Sequence, residues 1–232
     1  MRYWIDCHPL DEPSSCGDFV ECWNLAPYLH AIVIGDIAGR GIQAGEAAAV
    51  LHAHIRALML HRSSLAAVCR IASRSFTDVL SKETTPFATL FIAVLDARSN
   101  VLRYASAGHE PGLLFSRDGS HQHLMPTGPV LGIGAIPMFR ERVLQVQAND
   151  VLVLVTDGIT EARRRAAERL DFFGNRGVAF AVHNAFRDGR DPAQAIYGAA
   201  REHADGHIAD DASAIVSCIP ARFPLQVAGA RE

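Results

Sequence analysis

The chain has 232 residues, 49% of them hydrophobic, a formal net charge of -3 and a pI near 6.4. This length suffices for one sizeable domain with its own core, and the acidic balance excludes the broad basic surface that is typical of nucleic-acid-binding domains. The N-terminus lacks the pattern of a secretory signal, the apolar runs are too short to span a bilayer, and the five scattered cysteines form no CxxC pair. We therefore predict a cytoplasmic protein with no membrane or nucleic-acid partner and no disulfide framework or structural zinc.

The N-terminal part of the chain predicts strands followed by two helices. Short apolar and β-branched runs predict strands, whereas a long Ala- and Leu-rich stretch without breakers predicts a helix. Ser63 or Ser64 is suited to cap the second helix. In chain order, the predicted elements are strands at 3–6, 18–23 and 30–36 and helices at 42–60 and 64–81.

The rest of the chain predicts a run of strands and then two helices. Turn signals at 98–100, 117–119 and 148–150 indicate hairpins rather than parallel crossovers. Blocks of helices between blocks of antiparallel strands favour an α+β or α/β sandwich over a doubly wound parallel sheet. The predicted elements are strands at 89–95, 101–106, 112–115, 141–146 and 150–156, helices at 177–186 and 192–204, and a strand at 213–219.

Five aspartates lie at the ends of apolar strands. Asp18 lies in CGDF, Asp36 ends AIVIGD, Asp157 ends VLVLVTD, and Asp210 and Asp211 precede SAIVSC. Taken singly, each fits a turn or a solvated strand edge. Carboxylates at the ends of neighbouring strands converge on one rim, where they repel one another unless a cation lies between them. Mg²⁺ and Mn²⁺ prefer such oxygen ligands, and two ions roughly 3.5–4 Å apart can hold an attacking water and a phosphoryl oxygen.

The order of these motifs resembles that of the metal-dependent PPM (type-2C-like) protein phosphatases, in particular the bacterial SpoIIE/RsbU branch. The resemblance runs from about residue 3 to residue 218. It implies a four-layer αββα sandwich of the α+β class, with two mainly antiparallel sheets packed face to face, as one domain over 1–219 and a loosely ordered tail over 220–232. The blocks that carry it are CGDFVECW, GDIAGRGIQAGEAA, FATLFIAVLD, LRYASAGHEPGLLF, TGPVLGIG, VQANDVLVLVTDGITEAR, DFFG and DDASAIVSC.

The resemblance implies a centre of two Mn²⁺ or Mg²⁺ ions. Asp36 is expected to bridge the ions, the backbone carbonyl of Ile37 to complete one site, and Asp157 and Asp210 to hold the other. Asp18 is expected to contribute directly or through water. The implied chemistry is direct attack of an activated water on phosphorus, with Asp36, Asp157 and Asp210 as the catalytic residues.

Three further residues are candidates to support the ligands or contact substrate. Glu21 replaces the aspartate of the family's GDFYD block, so its charge is kept but its reach is longer. Arg40 is predicted either to contact the substrate phosphate or to be solvated, and Asp211 to support the ligands. Ala38 stands where eukaryotic relatives carry a histidine, which leaves the acid for the leaving group unassigned.

A basic run beyond the TDG block is open to two interpretations. Arg163, Arg164, Arg165 and Arg169 are predicted to lie on a short helix, either as a solvated face or as a docking site for a phosphopeptide.

The resemblance implies a phosphorylated regulatory protein, of the STAS-domain type in an anti-sigma or stressosome circuit, as substrate and partner. Control is expected to come from expression, from a partner or from self-association as a homodimer. Two alternatives remain: a catalytically weak family member that acts as a regulatory binding protein, and a phosphatase for a small phosphoester.

Overall fold

In the computed structural model, which describes residues 1–61, 64–80, 87–133, 138–164 and 171–220, ten strands form two five-stranded sheets. Every strand pairing within the two sheets is antiparallel. The first sheet has the order β1-β10-β9-β6-β7, built from β1 (Arg2–His8), β10 (Ala212–Cys218), β9 (Val151–Val155), β6 (Gly112–Phe115) and β7 (His121–Leu124). The second has the order β2-β3-β4-β5-β8, built from β2 (Asp18–Ala26), β3 (Leu29–Ile37), β4 (Ala88–Asp96), β5 (Val101–Ala107) and β8 (Arg142–Gln145).

Helices cover the outer face of each sheet. α1 (Ile42–His61) and α2 (Leu65–Leu80) pack on the second sheet, and α4 (Gly174–Asp188) and α5 (Pro192–His203) on the first. A one-turn helix, α3 (Asp157–Thr160), follows β9 directly. Among the described residues, no helix is both long enough and apolar enough to cross a membrane.

Alternation along the strands explains the layers. On β3, Ile32 and Ile34 belong to the core between the two sheets, whereas Ala31 and Val33 belong to the core beneath the helices. A central strand that is covered on both faces therefore needs an almost continuous apolar sequence. A third core joins the first sheet to α4 and α5. The predicted four-layer sandwich is confirmed.

The main differences from the predicted elements lie at irregular segments. β7 (His121–Leu124) was not predicted, because HQHL lacks an apolar alternation, and the predicted strand 150–156 stops at Val155. α4 begins at Gly174, three residues before the predicted start. Ser64 Oγ accepts a 3.4 Å hydrogen bond from Ala67 N, as expected of a cap. Ser63, residue 81 and all of the predicted tail 220–232 except residue 220 lie outside the described residues.

Candidate functional site

Asp18 and Asp36 are direct cross-strand partners at neighbouring ends of β2 and β3. Because side chains alternate along a strand, Asp36 shares the face of Ile32 and Ile34 and projects towards the gap between the sheets. Gly17 lies directly against this pair. A Cβ atom on Gly17 would stand 3.1 Å from the carbonyl oxygen of Ile37, 3.6 Å from Asp36 Oδ1 and 3.7 Å from an oxygen of Asp211. Three of the predicted site residues thus border one glycine.

The edge of the sandwich where Asp18 and Asp36 lie is called the rim. The first sheet reaches this rim through the end of β9. Thr156 Oγ1 donates a 2.8 Å hydrogen bond to Asp18 Oδ2 and accepts a 2.9 Å bond from Ser213 N. This buried threonine therefore links Asp18 on the second sheet to two strands of the first. The next residues, Asp157 and Gly158, open α3, and a Cβ on Gly158 would overlap the carbonyl oxygen of Asp211. The glycine of the TDG block is required because two backbone segments approach each other there.

Asp210 and Asp211 have different roles although they are adjacent. Asp211 Oδ1 accepts from Leu10 N and Oδ2 from Gly17 N, each at 2.7 Å, so it fixes the loop between β1 and β2. Asp210 Oδ2 instead lies 3.7 Å from Arg40 Nη2, which also donates a 2.9 Å bond to the carbonyl oxygen of Ala209. The side chain of Asp210 is about half exposed, at 51%.

Burial and mutual repulsion raise the pKa values of the acids at this rim. Burial, with the nearby Asp157 and Asp210 charges, raises the pKa of Asp36 to about 7. Burial, with the Asp210 and Glu161 charges, raises the pKa of Asp157 to about 6. Burial and the Asp36 charge also raise the pKa of Asp18 well above its usual range, despite the Thr156 hydrogen bond. The rim therefore concentrates acids whose charged forms are disfavoured by burial and by one another, and Arg40 lies within ion-pair distance of Asp210 there.

The donor chemistry fits a hard divalent cation. The groups that converge are carboxylates and the Ile37 carbonyl, which are oxygen donors of the kind that Mg²⁺ and Mn²⁺ prefer. A cation would remove the repulsion that raises the pKa values of Asp36 and Asp157. These carboxylates approach one another without forming a complete ligand set. Within the described ranges, no three His, Cys, Asp or Glu side chains are close enough to hold an ion.

The structure does not bring Glu21 into this group. It projects from the face of β2 that packs on α1, where Glu21 Oε2 lies 2.8 Å from His52 Nε2 and Oε1 pairs with Arg56 Nη1. The structure thus places Glu21 away from the predicted ligands, because alternation along β2 turns residue 21 away from the face that carries Asp18.

The predicted short basic helix was wrong where the structure describes it. The helix after the TDG block ends at Thr160, and Arg163 instead pairs with Phe172 in an isolated antiparallel bridge. Arg164 is not helical either, and Arg165 and Arg169 lie outside the described residues.

Sequence reasoning missed Thr156, Glu110 and Glu161. Thr160 Oγ1 donates a 3.2 Å hydrogen bond to Glu110, and burial and the Glu161 charge raise the Glu110 pKa. Glu161 follows Asp157 by one helical turn, a spacing that could have signalled its approach. No local pattern signals Glu110, which reaches the rim only through tertiary packing.

Comparison with known proteins shows similarity over most of the chain. The family model described as Stage II sporulation protein E (SpoIIE) matches residues 29–220. Protein IcfG of Synechocystis sp. is 27% identical over 188 residues, which cover 70% of this chain and 29% of IcfG. Phosphoserine phosphatase RsbU of Bacillus subtilis is 30% identical over 137 residues, which cover 57% of this chain and 39% of RsbU. The chain thus spans less than half the length of these two relatives.

Solved structures show the same fold. The SiaA-PP2C domain of Pseudomonas aeruginosa superposes with a TM-score of 0.78 at 22% identity, covering 95% of this chain and 85% of that one. The catalytic domain of the serine/threonine phosphatase PstP, in complex with two manganese ions, gives 0.65 at 15% identity, covering 94% and 98%. RsbX in complex with magnesium gives 0.66 at 14% identity, covering 92% of each chain.

Proposed function

Since this chain belongs to the SpoIIE family and has the PP2C-type fold, we propose that it is a divalent-metal-dependent phosphatase that hydrolyses phosphoserine or phosphothreonine on a regulatory protein. The observation that carries the proposal is the convergence of acids from both sheets on one rim, linked by the Thr156–Asp18 hydrogen bond. The proposed domain covers residues 1–219.

Two Mn²⁺ or Mg²⁺ ions are the proposed cofactors. Asp36, the Ile37 carbonyl, Asp157 and Asp210 would hold them, with Asp18 directly or through water. Bound at this rim, such ions would supply an activated water for attack on phosphorus and would neutralise charge on the phosphoryl oxygens.

The surrounding residues position these groups. Thr156 holds the Asp18 carboxylate at 2.8 Å, and Asp211 ties the β1–β2 loop beside Asp36 through its hydrogen bonds to Leu10 N and Gly17 N. Arg40 is exposed beside Asp210 and presents a planar cation to an incoming phosphate. Ala38 has no ionisable proton, so the leaving serine or threonine oxygen would take its proton from another donor, such as water at the rim.

The proposed substrate is a phosphorylated STAS-domain protein. Its support is the similarity to RsbU, which is named a phosphoserine phosphatase, and the fold shared with a protein of the bacterial stressosome at 18% identity and a TM-score of 0.68. A regulatory partner of this kind suits an exposed rim, because a protein-borne phosphoserine must reach the acids without entering a deep cavity.

The test measures phosphate release from a phosphoserine peptide in the presence of Mn²⁺, Mg²⁺ or EDTA. We expect hydrolysis with Mn²⁺ or Mg²⁺, none with EDTA, and a loss of about 100-fold or more in Asp210→Asn, because removal of a metal ligand costs at least one charged contact. Asp188→Asn, at the exposed end of α4, is the matched control and should match the wild type.

A metal-binding readout separates loss of the centre from loss of the fold. Mn²⁺ should raise the melting temperatures of the wild type and of Asp188→Asn. The increase should be smaller for Asp210→Asn. Equal Mn²⁺-dependent activity in all three proteins would falsify the metal-centred proposal. Mn²⁺ binding without hydrolysis of any phosphoester would favour a regulatory binding protein, and hydrolysis of phosphometabolites alone would favour a small-molecule phosphatase.

A further inference from the structure

A cleft of about 940 Å³ opens directly beside the acidic rim, and we call it the α5 cleft. Asp157 and Asp210 are among its lining residues. Its remaining walls come from the β1–β2 loop, the segment after α3, the helix α5 and the loop between α5 and β10. A molecule held by its phosphate at the rim can therefore extend along this cleft.

The α5 cleft is lined by both acidic and basic side chains. Asp157, Glu161 and Asp210 are its acids and cluster at the rim, since Asp210 and Glu161 both act on the pKa of Asp157. The basic lining comprises the exposed residues Arg40, Arg163 and Arg201, of which Arg40 lies 3.7 Å from Asp210. Cations bound at the rim would offset the charges of Asp157 and Asp210, so that Arg163 and Arg201 would outnumber Glu161 in the rest of the lining.

Neither arginine has a carboxylate partner among the residues that the structure describes. Arg201 Nε donates a 3.4 Å bond to the carbonyl oxygen of Gly206, and the Arg163 guanidinium lies 5.9 Å from the centre of the Phe172 ring. Both guanidinium groups thus have one local contact while their charge stays unpaired. A planar guanidinium in this state suits bidentate binding of a carboxylate from outside.

The wall next to Arg201 is aromatic. The rings of Tyr197 and His8 stack with centroids 3.4 Å apart and planes within 6°, and His8 Nε2 lies 2.8 Å from Asp6 Oδ2. Tyr197 precedes Arg201 by one helical turn, so α5 presents a flat ring and a cation on the same side. A rigid ring beside a cation is suited to contact an extended polypeptide, because little side-chain entropy is lost on binding.

We propose that the α5 cleft binds an acidic segment adjacent to the phosphorylated residue of the protein substrate, with Arg163 and Arg201 as specificity-determining residues. The inference rests on the proposed phosphatase function and adds the sequence class that the enzyme selects. A small phosphoester would occupy only the rim and leave both arginines unpaired. The net charge of -3 also disfavours nucleic acid as the occupant.

The experiment compares phosphoserine peptides that carry Asp and Glu on either side of the phosphoserine with matched peptides that carry Asn and Gln. We expect the wild type to hydrolyse the acidic peptides with a kcat/KM about three- to tenfold higher, mainly through KM, as two exposed charge pairs produce. The Arg163→Gln/Arg201→Gln double variant should lose this preference. It should keep its kcat/KM for the neutral peptides and for p-nitrophenyl phosphate.

Arg176→Gln supplies the matched control, since Arg176 is exposed on α4 and lies outside the cleft. It should retain the preference of the wild type. The charge-reversed variant Arg201→Glu should in turn prefer peptides with Lys beside the phosphoserine, which loss of folding cannot produce.

A binding measurement reads the cleft without turnover. Fluorescence anisotropy of an acidic, unphosphorylated peptide should show salt-sensitive binding to the wild type in Mg²⁺, and weaker binding to the double variant. Equal kcat/KM of the wild type for acidic and neutral peptides, or equal losses of the double variant on every substrate, would overturn the proposal. If the wild type hydrolyses no phosphoester, the proposed function fails, and the anisotropy series then decides whether the α5 cleft binds acidic peptides.

Discussion

Two acidic residues on β2, only three positions apart, have opposite environments. Glu21 faces α1 and is paired with His52 and Arg56, whereas Asp18 faces the gap between the sheets and lies opposite another aspartate, Asp36. The first acid is neutralised by the fold. The second belongs to a group of acids whose charges a bound cation would neutralise. This difference separates an acid that stabilises the structure from acids that serve a site.

The largest expected effect contrasts these two acids in catalysis. Asp36→Asn should lower kcat/KM for a phosphoserine peptide by about 1,000-fold, roughly 4 kcal/mol, because the proposed bridging ligand loses its charge. Glu21→Gln should retain activity within about threefold, since Glu21 contacts α1 and not the rim. Phosphate release with saturating Mn²⁺ measures both. Similar losses in the two variants would show that the distinction between the acids is mistaken.

The metal-free protein should lose stability as the pH rises. The pKa of Asp36 is about 7 and that of Asp157 about 6 in the folded chain, against 3.8 ordinarily, so the folded state binds protons more tightly than the unfolded state. The resulting stabilisation is fully present below pH 4 and is lost as the pH rises to about 7, and the two carboxyls together contribute several kcal/mol.

Urea unfolding in EDTA between pH 4 and pH 8 measures this loss. Asp36→Asn should flatten the profile, and Mn²⁺ should restore stability at pH 7.5. A metal-free wild type whose stability does not fall over this interval would contradict the burial and mutual repulsion that we assign to these carboxylates.

Two glycine substitutions test the close approach of backbones at the rim. Gly158→Ala should destabilise the protein by about 2 kcal/mol and lower activity, because its methyl group would overlap the Asp211 carbonyl. Gly198→Ala, in α5 with no neighbour within 4 Å of the added atom, should stabilise by about 0.5 kcal/mol. Thermal unfolding of both variants provides the comparison, and equal shifts would refute it.

The smallest expected effect belongs to the Glu21 contacts. Glu21→Gln should lower the free energy of unfolding by about 1 kcal/mol, because Arg56 is 45% exposed and solvent screens the pair. A double-mutant cycle with Arg56→Gln isolates the pair, and a coupling near zero would show that Glu21 contributes only through packing.

Part of the site could be predicted because its signals are local. Each of Asp18, Asp36, Asp157 and Asp210 stands at or beside the end of an apolar strand, and the order of the motifs resembles one family. The side chain of Glu21 could not be placed in the same way, since family position suggested the rim and strand alternation decided against it. Arg163 was misplaced because a short polar segment has no periodicity that separates a helix from an isolated bridge.

Composition, hydrophobic alternation and turn signals by themselves favoured an α+β or α/β sandwich and indicated the acids at its strand ends, and the resemblance of the motifs to one family implied the four layers. These properties depend on residues close in sequence, because side chains return to the same face of a strand every two residues and of a helix every 3.6 residues. Only the tertiary structure decided that Thr156 bonds Asp18, that Asp211 holds the β1–β2 loop and that Arg163 and Arg201 share a cleft. Those contacts join segments up to about 200 residues apart, and their geometry depends on how the two sheets pack.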